Sequence, residues 1–282
     1  MHLGSFRDSN GAGFVGELDG ETIHPLRAES MLAWLAGDGR EREGAPVEAA
    51  EVEVRAPVPH PPSVRDFYAF EEHVRAGWRR RGGEIPEYWY DAPAFYFSNP
   101  ASIHGPQEPV RCPPGLEELD FELEIAAVIG AGEQIAGFTL MNDWSARGIQ
   151  AREVTVGLGP HKAKDFATSL GPLIVTAESL PLQGGRLALE ASVEVNGAVV
   201  ARASAHSQHF TWEELVAQAS KNTRLRPGDV LGSGTLPGGC LWELGPLPAE
   251  AGGDGRRWLE PGDVVALEAE GLGRLESTLA PA

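Results

Sequence analysis

The sequence predicts an α+β protein rich in strands, with a small leading module in front of a larger domain. Three observations predict it. The stretch Pro57-Val58-Pro59-His60-Pro61-Pro62 can continue neither a helix nor a central strand, so it separates residues 1–56 from residues 57–282. Beyond it, Phe121–Ile129 alternates and then turns continuously apolar, the pattern of an inner strand. Asn196-Gly197 joins two strand-like runs with a dipeptide suited to a two-residue hairpin.

The remaining elements follow in chain order. Gly13–Glu17 and Glu21–His24 predict a hairpin around Asp19-Gly20, and Ala28–Leu35 a short helix. Arg65–Arg81 predicts a helix stopped by Gly82-Gly83. Gly137–Met141 predicts a short strand, and Asp143–Val154 a helix capped by Asn142 or Asp143. Leu173–Thr176, Leu187–Val195 and Ala198–Ser204 predict strands. Thr211 caps a helix through Ser220, and Glu214 completes a capping box. Arg226-Pro-Gly-Asp-Val-Leu and Glu260-Pro-Gly-Asp-Val-Val echo each other; each reads as a type II turn that delivers a strand.

Bulk properties narrow the function. The formal net charge of -18 makes nucleic acid and anionic lipid poor partners. No apolar run approaches the roughly 20 residues that span a bilayer. MHLGSFRDSN lacks the apolar centre of a secretory signal, so a cytoplasmic protein is expected. Cys112 and Cys240 form neither a disulfide framework nor a zinc pattern. Glycine-rich nucleotide loops and the common hydrolase motifs are absent from the sequence.

Several short segments carry candidate chemistry. Glu122 and Glu124 are two apart, so on a strand they face one side and repel unless something positive lies between them. Taken alone, the pair also reads as a solvated strand end. Asn142-Asp143-Trp144-Ser145-Ala146-Arg147 follows a short strand; along a helix Asp143, Arg147 and Gln150 would line one face, or form only a cap and a local ion pair. The chain has just three lysines, and Lys162 and Lys164 lie in one polar loop, where an ammonium suits an enolate or carboxylate. Leu231-Gly-Ser-Gly-Thr235 offers backbone N–H groups and a hydroxyl to an anion. Asp66 and His73 are seven apart, which a helix would align, and His is a natural general base. Oxygen-only candidates (Asp66, Glu122, Glu124, Asp143) suit Mg²⁺, Mn²⁺ or Ca²⁺ rather than zinc or copper.

In this order, these segments resemble the fumarylacetoacetate hydrolase family from about Val64 to Thr278, most specifically over Leu119–Gly130, Gly137–Gln150, Gly159–Pro172 and Gly232–Leu244. The resemblance implies a mixed-sheet β-roll for residues 57–282, with catalytic function, and commonly a homodimer. It implies a divalent cation on Asp66, Glu122, Glu124 and Asp143, and a catalytic His73 paired with Glu243. It implies catalytic roles for Lys164, Arg147 and Gln150, and substrate contacts from Tyr68, Tyr96, Arg147, Gln150 and Thr235. Three positions depart from the family pattern. Gly148 replaces an Asp, Ala163 precedes Lys164 where Gly is usual, and Val154 stands where fumarylacetoacetase carries a Tyr.

The reaction this implies is metal-dependent cleavage of a C–C bond in a small acylpyruvate or β-diketone acid by His/Glu-activated water. The same site type also implies 2-oxo acid isomerisation, decarboxylation or hydration as alternatives. A metal-stabilised binding protein without activity is the alternative of another class. Substrate selection is expected from Trp78–Tyr90 and Pro237–Leu241.

Overall fold

A computed structural model describes residues 1–282 apart from residues 116, 117, 254 and 257. Its centre is a mixed sheet of twelve strands. Ile135–Asp143 runs antiparallel between Leu123–Ile129 and Thr168–Thr176. Leu123–Ile129 is buried along its whole length, as its continuous apolar run predicts. On its other side lies Val230–Gly232, which pairs parallel to Val64–Phe67; that strand pairs antiparallel with Phe95–Ser98. A second sheet of five strands holds Glu190–Val195, Ala198–Ser204, Val264–Ala269 and Gly273–Ala280. One large apolar core, including the buried face of Trp212–Ser220, fills the space between the sheets.

The leading residues form the expected hairpin, Gly13–Asp19 with Thr22–Pro25, and a short helix, Met31–Ala36, capped by Ser30. His2–Arg7 pairs with Thr168–Thr176, so this module extends the main sheet. Local turn chemistry behaves as read. Asn196 and Gly197 take positive φ, and Thr211 and Glu214 form a complete capping box. Both Pro-Gly-Asp turns close with an N–H···O bond and a left-handed glycine, Gly228 and Gly262. In each the Asp side chain accepts from the first residue's N–H: Asp229 from Arg226 at 2.7 Å, Asp263 from Glu260 at 2.8 Å.

Two expectations are corrected. Arg65–Arg81 is not one helix: Val64–Phe67 is a strand and only Glu71–Arg80 is helical. Pairing on both edges and complete burial of Val64–Phe67 outweigh the local pattern. Asp66 and His73 therefore do not share a helical face. Asp143 is not a helix cap either; it ends the strand Ile135–Asp143, and the helix starts at Arg147.

Candidate active site

Strand alternation sends Arg65 and Asp66 to opposite faces. Arg65 faces Ser63 and Asp229, while Asp66 faces a cavity of about 320 Å³. Glu124 comes from Leu123–Ile129, on the far side of Val230–Gly232, and Asp143 from the end of the strand after that. Ligand oxygens of Asp66, Glu124 and Asp143 lie within 4.8 Å of one another, and all three residues are buried. Close approach needs glycine nearby. A Cβ on Gly232 would sit 2.5 Å from Asp66 Oδ1 and 3.0 Å from Glu124 Oε2. At Gly234, in the left-handed region, a Cβ would strike the Phe67 carbonyl at 2.4 Å; its N–H donates to Glu124 Oε2 at 3.1 Å.

This trio fits a divalent cation. Asp66 Oδ1, Glu124 Oε1 and Asp143 Oδ1 are buried without a hydrogen-bond partner among the described residues. Such acceptors are costly unless filled by a proton or a cation. Burial, then the neighbouring carboxylates, pushes Asp66 and Glu124 well above the usual carboxyl range. Burial also raises Asp143, against the pull of Lys164.

Glu122 differs from the trio. Its carboxylate pairs with Arg147 Nη2 at 2.8 Å and with the buried Lys164 ammonium. Despite burial, Lys164 and Arg147 hold it far below the usual range. Lys164 also pairs with Asp143; burial disfavours its charge, but Asp143 and Glu122 outweigh that and raise its pKa. Tyr96, opposite Asp66 in the sheet, donates to Asp143 Oδ2 at 2.6 Å.

Arg147 is also anchored by Asp120, from Nε at 2.8 Å and Nη2 at 2.7 Å, and it donates to Gln150 Oε1 at 3.1 Å. The Gln150 amide is thereby oriented with its carbonyl engaged. His73 Nδ1 is bonded to Glu243 Oε1. Glu243 also accepts from Gly238 N–H at 3.1 Å; against burial, His73 and this donor hold it below the usual carboxylate range. Tyr68 stands edge-on to His73 at 5.4 Å, and burial pushes its hydroxyl up to about 12. Thr235 is buried on the same cavity wall.

The structure thus brings all twelve candidate residues around one cavity or into direct contact with its lining; Asp143 and Glu243 sit just behind the wall, bonded to Lys164 and Tyr96 and to His73. Sequence reading missed others. Phe95, Pro160 and Trp242 line the cavity, beside Arg81 from the Trp78–Tyr90 stretch expected to select substrate. Asp120 anchors Arg147, and its signal was the period-two run Asp120, Glu122, Glu124. Glu153 accepts from the N–H groups of His161 at 3.0 Å and Ala163 at 3.2 Å, fixing the loop that carries Lys164.

The arrangement defines a class: a buried carboxylate cluster beside an imidazole–carboxylate pair on a mixed-sheet roll. A family model, fumarylacetoacetate (FAA) hydrolase C-terminal, matches residues 63–280. The chain belongs to the fumarylacetoacetate hydrolase family. It is 32% identical over 267 residues to fumarylacetoacetase of Arabidopsis thaliana, covering 71% of this chain and 63% of that protein. It is 33% identical over 191 residues to the mitochondrial oxaloacetate tautomerase FAHD2A of Homo sapiens, covering 64% of this chain and 57% of that one. The chain spans less than two thirds of the length of these relatives. Among solved structures it resembles the 5-carboxymethyl-2-hydroxymuconate delta-isomerase of Mycobacterium smegmatis, with a TM-score of 0.75, 27% identity and full coverage of both chains. The fold matches fumarylacetoacetate hydrolase of Exiguobacterium antarcticum with a TM-score of 0.78 at 22% identity, again over all of both chains. Family members thus include hydrolases, isomerases and tautomerases. No described helix is long and apolar enough to cross a membrane.

Proposed function

We propose that this chain is a divalent-metal-dependent hydrolase that cleaves a C–C bond in a small acylpyruvate or β-diketone acid. One observation carries the reading. A three-carboxylate cluster with unpaired buried oxygens shares a cavity wall with a His73–Glu243 pair. Metal binding alone needs no such pair, which weighs against a non-catalytic binding protein.

Asp66, Glu124 and Asp143 are the proposed ligands; Glu122, expected from the resemblance as a fourth, is held by Arg147 and Lys164. Their all-oxygen chemistry suits Mg²⁺, with Mn²⁺ or Ca²⁺ as alternatives. Bound there, the cation supplies Lewis-acid polarisation to adjacent oxygens of a 2-oxo acid or 1,3-dicarbonyl.

The chain's own residues do the rest. Glu243 occupies His73 Nδ1, which leaves Nε2 as the atom that accepts a proton from water. The hydroxide adds to the carbonyl carbon; the C–C bond then breaks, and its electron pair leaves as an enolate that is later protonated. His73 carries the water's proton for that return. Lys164 and Arg147 are tied to Glu122, Asp143 and Asp120, so they act chiefly by neutralising the cluster. Gln150 and Arg81 face the cavity as donors for the substrate carboxylate, and Tyr68, Tyr96 and Thr235 line the same space. Val154 and Pro160 make part of the wall apolar, which suits a compact acyl group.

Tautomerisation or isomerisation of a 2-oxo acid is the second reading. Similarity to the human oxaloacetate tautomerase and the mycobacterial isomerase favours it. A homodimer is proposed from family resemblance. Product NMR decides the reaction, using a panel of acylpyruvates, fumarylacetoacetate and oxaloacetate with Mg²⁺ or EDTA. Mg²⁺-dependent pyruvate plus a second carboxylate supports the hydrolase. Solvent-deuterium exchange into oxaloacetate without cleavage of the diketones supports the tautomerase and rejects the hydrolase.

A further inference from the structure

We propose that Asp120 is a positioning residue that sets the general-base pair and Arg147 in one register. This rests on the reading of His73–Glu243 as the base. Asp120 is fully buried and does not line the cavity, so it touches no substrate. Both its oxygens are occupied. Oδ2 accepts from Arg147 Nε at 2.8 Å and from Trp242 N–H at 3.0 Å, and it pairs with Arg147 Nη2 at 2.7 Å. Oδ1 accepts from Leu241 N–H at 2.8 Å.

Those two N–H groups open the segment that carries the base's partner. Leu241–Leu244 is a single four-residue turn, ended by Gly245, and its N-cap Cys240 makes no side-chain bond to the turn's backbone; its thiol donates instead to Glu243 Oε1 at 3.6 Å. So short a helix has little stability of its own. A buried carboxylate that accepts both of its leading N–H groups substitutes for a cap. Glu243 is the third residue of the turn, so its reach to His73 depends on where Asp120 holds Leu241 and Trp242.

On its other side Asp120 is fixed to the metal cluster. Its backbone pairs with Ser145, two residues beyond Asp143, and Glu122 follows two residues later in the chain. One carboxylate therefore ties together three pieces of the site: the strand ends that bear the cluster, the start of the helix that bears Arg147, and the turn that bears Glu243. An Asn at this position keeps the shape. It loses the charge and leaves one terminal group that donates where the backbone N–H groups also donate.

The test is ¹⁵N NMR of the His73 ring in the full chain at one fixed pH, which needs no substrate. Glu243 engages Nδ1, so the ring is expected as the tautomer with its proton on Nδ1. If E243A, which removes that acceptor, leaves both ring nitrogen shifts in place, the base reading itself fails. With that control met, D120N is expected to move the two ring nitrogen shifts toward each other in the wild-type background and to have no further effect in the E243A background. Equal changes in both backgrounds, or none in either, overturn the positioning role, because a through-space charge effect persists without Glu243. Hydrogen exchange on the unaltered chain keeps the proposal testable if D120N does not fold. Slow exchange at Leu241 and Trp242 supports the anchor, and exchange at unstructured rates overturns it.

Discussion

Replacing Glu124 by Gln separates cation binding from ordinary structural damage, because it predicts opposite effects with and without metal. Gln keeps an acceptor for Gly234 N–H and changes the volume little. It removes one of three carboxylates whose ligand oxygens lie within 4.8 Å of one another; at an effective dielectric of about 20, two unit charges at that separation repel by about 3.5 kcal/mol. Protonation relieves most of this repulsion in the cation-free protein, since burial and Asp66 already push Glu124 well above its usual range. We therefore expect E124Q to stabilise the cation-free protein by only about 1 kcal/mol, roughly 2 °C in Tm. Wild type in Mg²⁺ at a hundredfold over Kd gains about 2.7 kcal/mol, roughly 5 °C, and E124Q loses that gain. Differential scanning calorimetry in EDTA and in Mg²⁺ reads all four values. An equal Mg²⁺ shift in wild type and E124Q refutes the cluster as the cation site.

Three further outcomes follow from the geometry. H73A lowers kcat by about 10²–10⁴-fold, while calorimetry finds Mg²⁺ affinity unchanged, because His73 lies outside the carboxylate trio. K164M leaves Glu122 and Asp143 buried without their shared ammonium, so denaturant melts in EDTA show a loss of about 3 kcal/mol, and Mg²⁺ recovers part of it. D263A removes a carboxylate that accepts from Arg256, Asn196 and the Glu260 N–H, at about 2–3 kcal/mol. Burial opposes ionisation of Asp263, but these donors hold its pKa below 3.8. That stability is fully present above the unfolded value and fades as pH falls through the lower folded one. The wild-type advantage over D263A should then be constant near neutrality and vanish in acid; an advantage that grows on acidification contradicts the assignment.

Local chemistry was the most legible part of the sequence. The Asn196-Gly197 hairpin, the Thr211–Glu214 capping box and both Pro-Gly-Asp turns depend on residues within four positions of one another. The strand around Glu124 was legible because burial on both faces imposes a continuous apolar run. Arg65–Phe67 was misread, because its strand state comes from partners more than 25 residues away on each edge. Asp143 looked like a cap for the same reason: the pairing with Thr168 that keeps it in a strand is invisible locally. Arg147 shows the limit within the site. Spacing suggested Asp143 as its ion-pair partner, whereas it pairs with Asp120 and Glu122, so Asp120 went unnoticed. Residue types and family order located the site; which charges neutralise each other required the fold.

The most direct test of the central claim is anomalous diffraction from a crystal of this protein soaked in Mn²⁺. A single strong peak among Asp66, Glu124 and Asp143, on the cavity side facing His73, is the predicted result. Mn²⁺ bound elsewhere with that cluster left empty would contradict the assignment of the metal and, with it, the proposed chemistry.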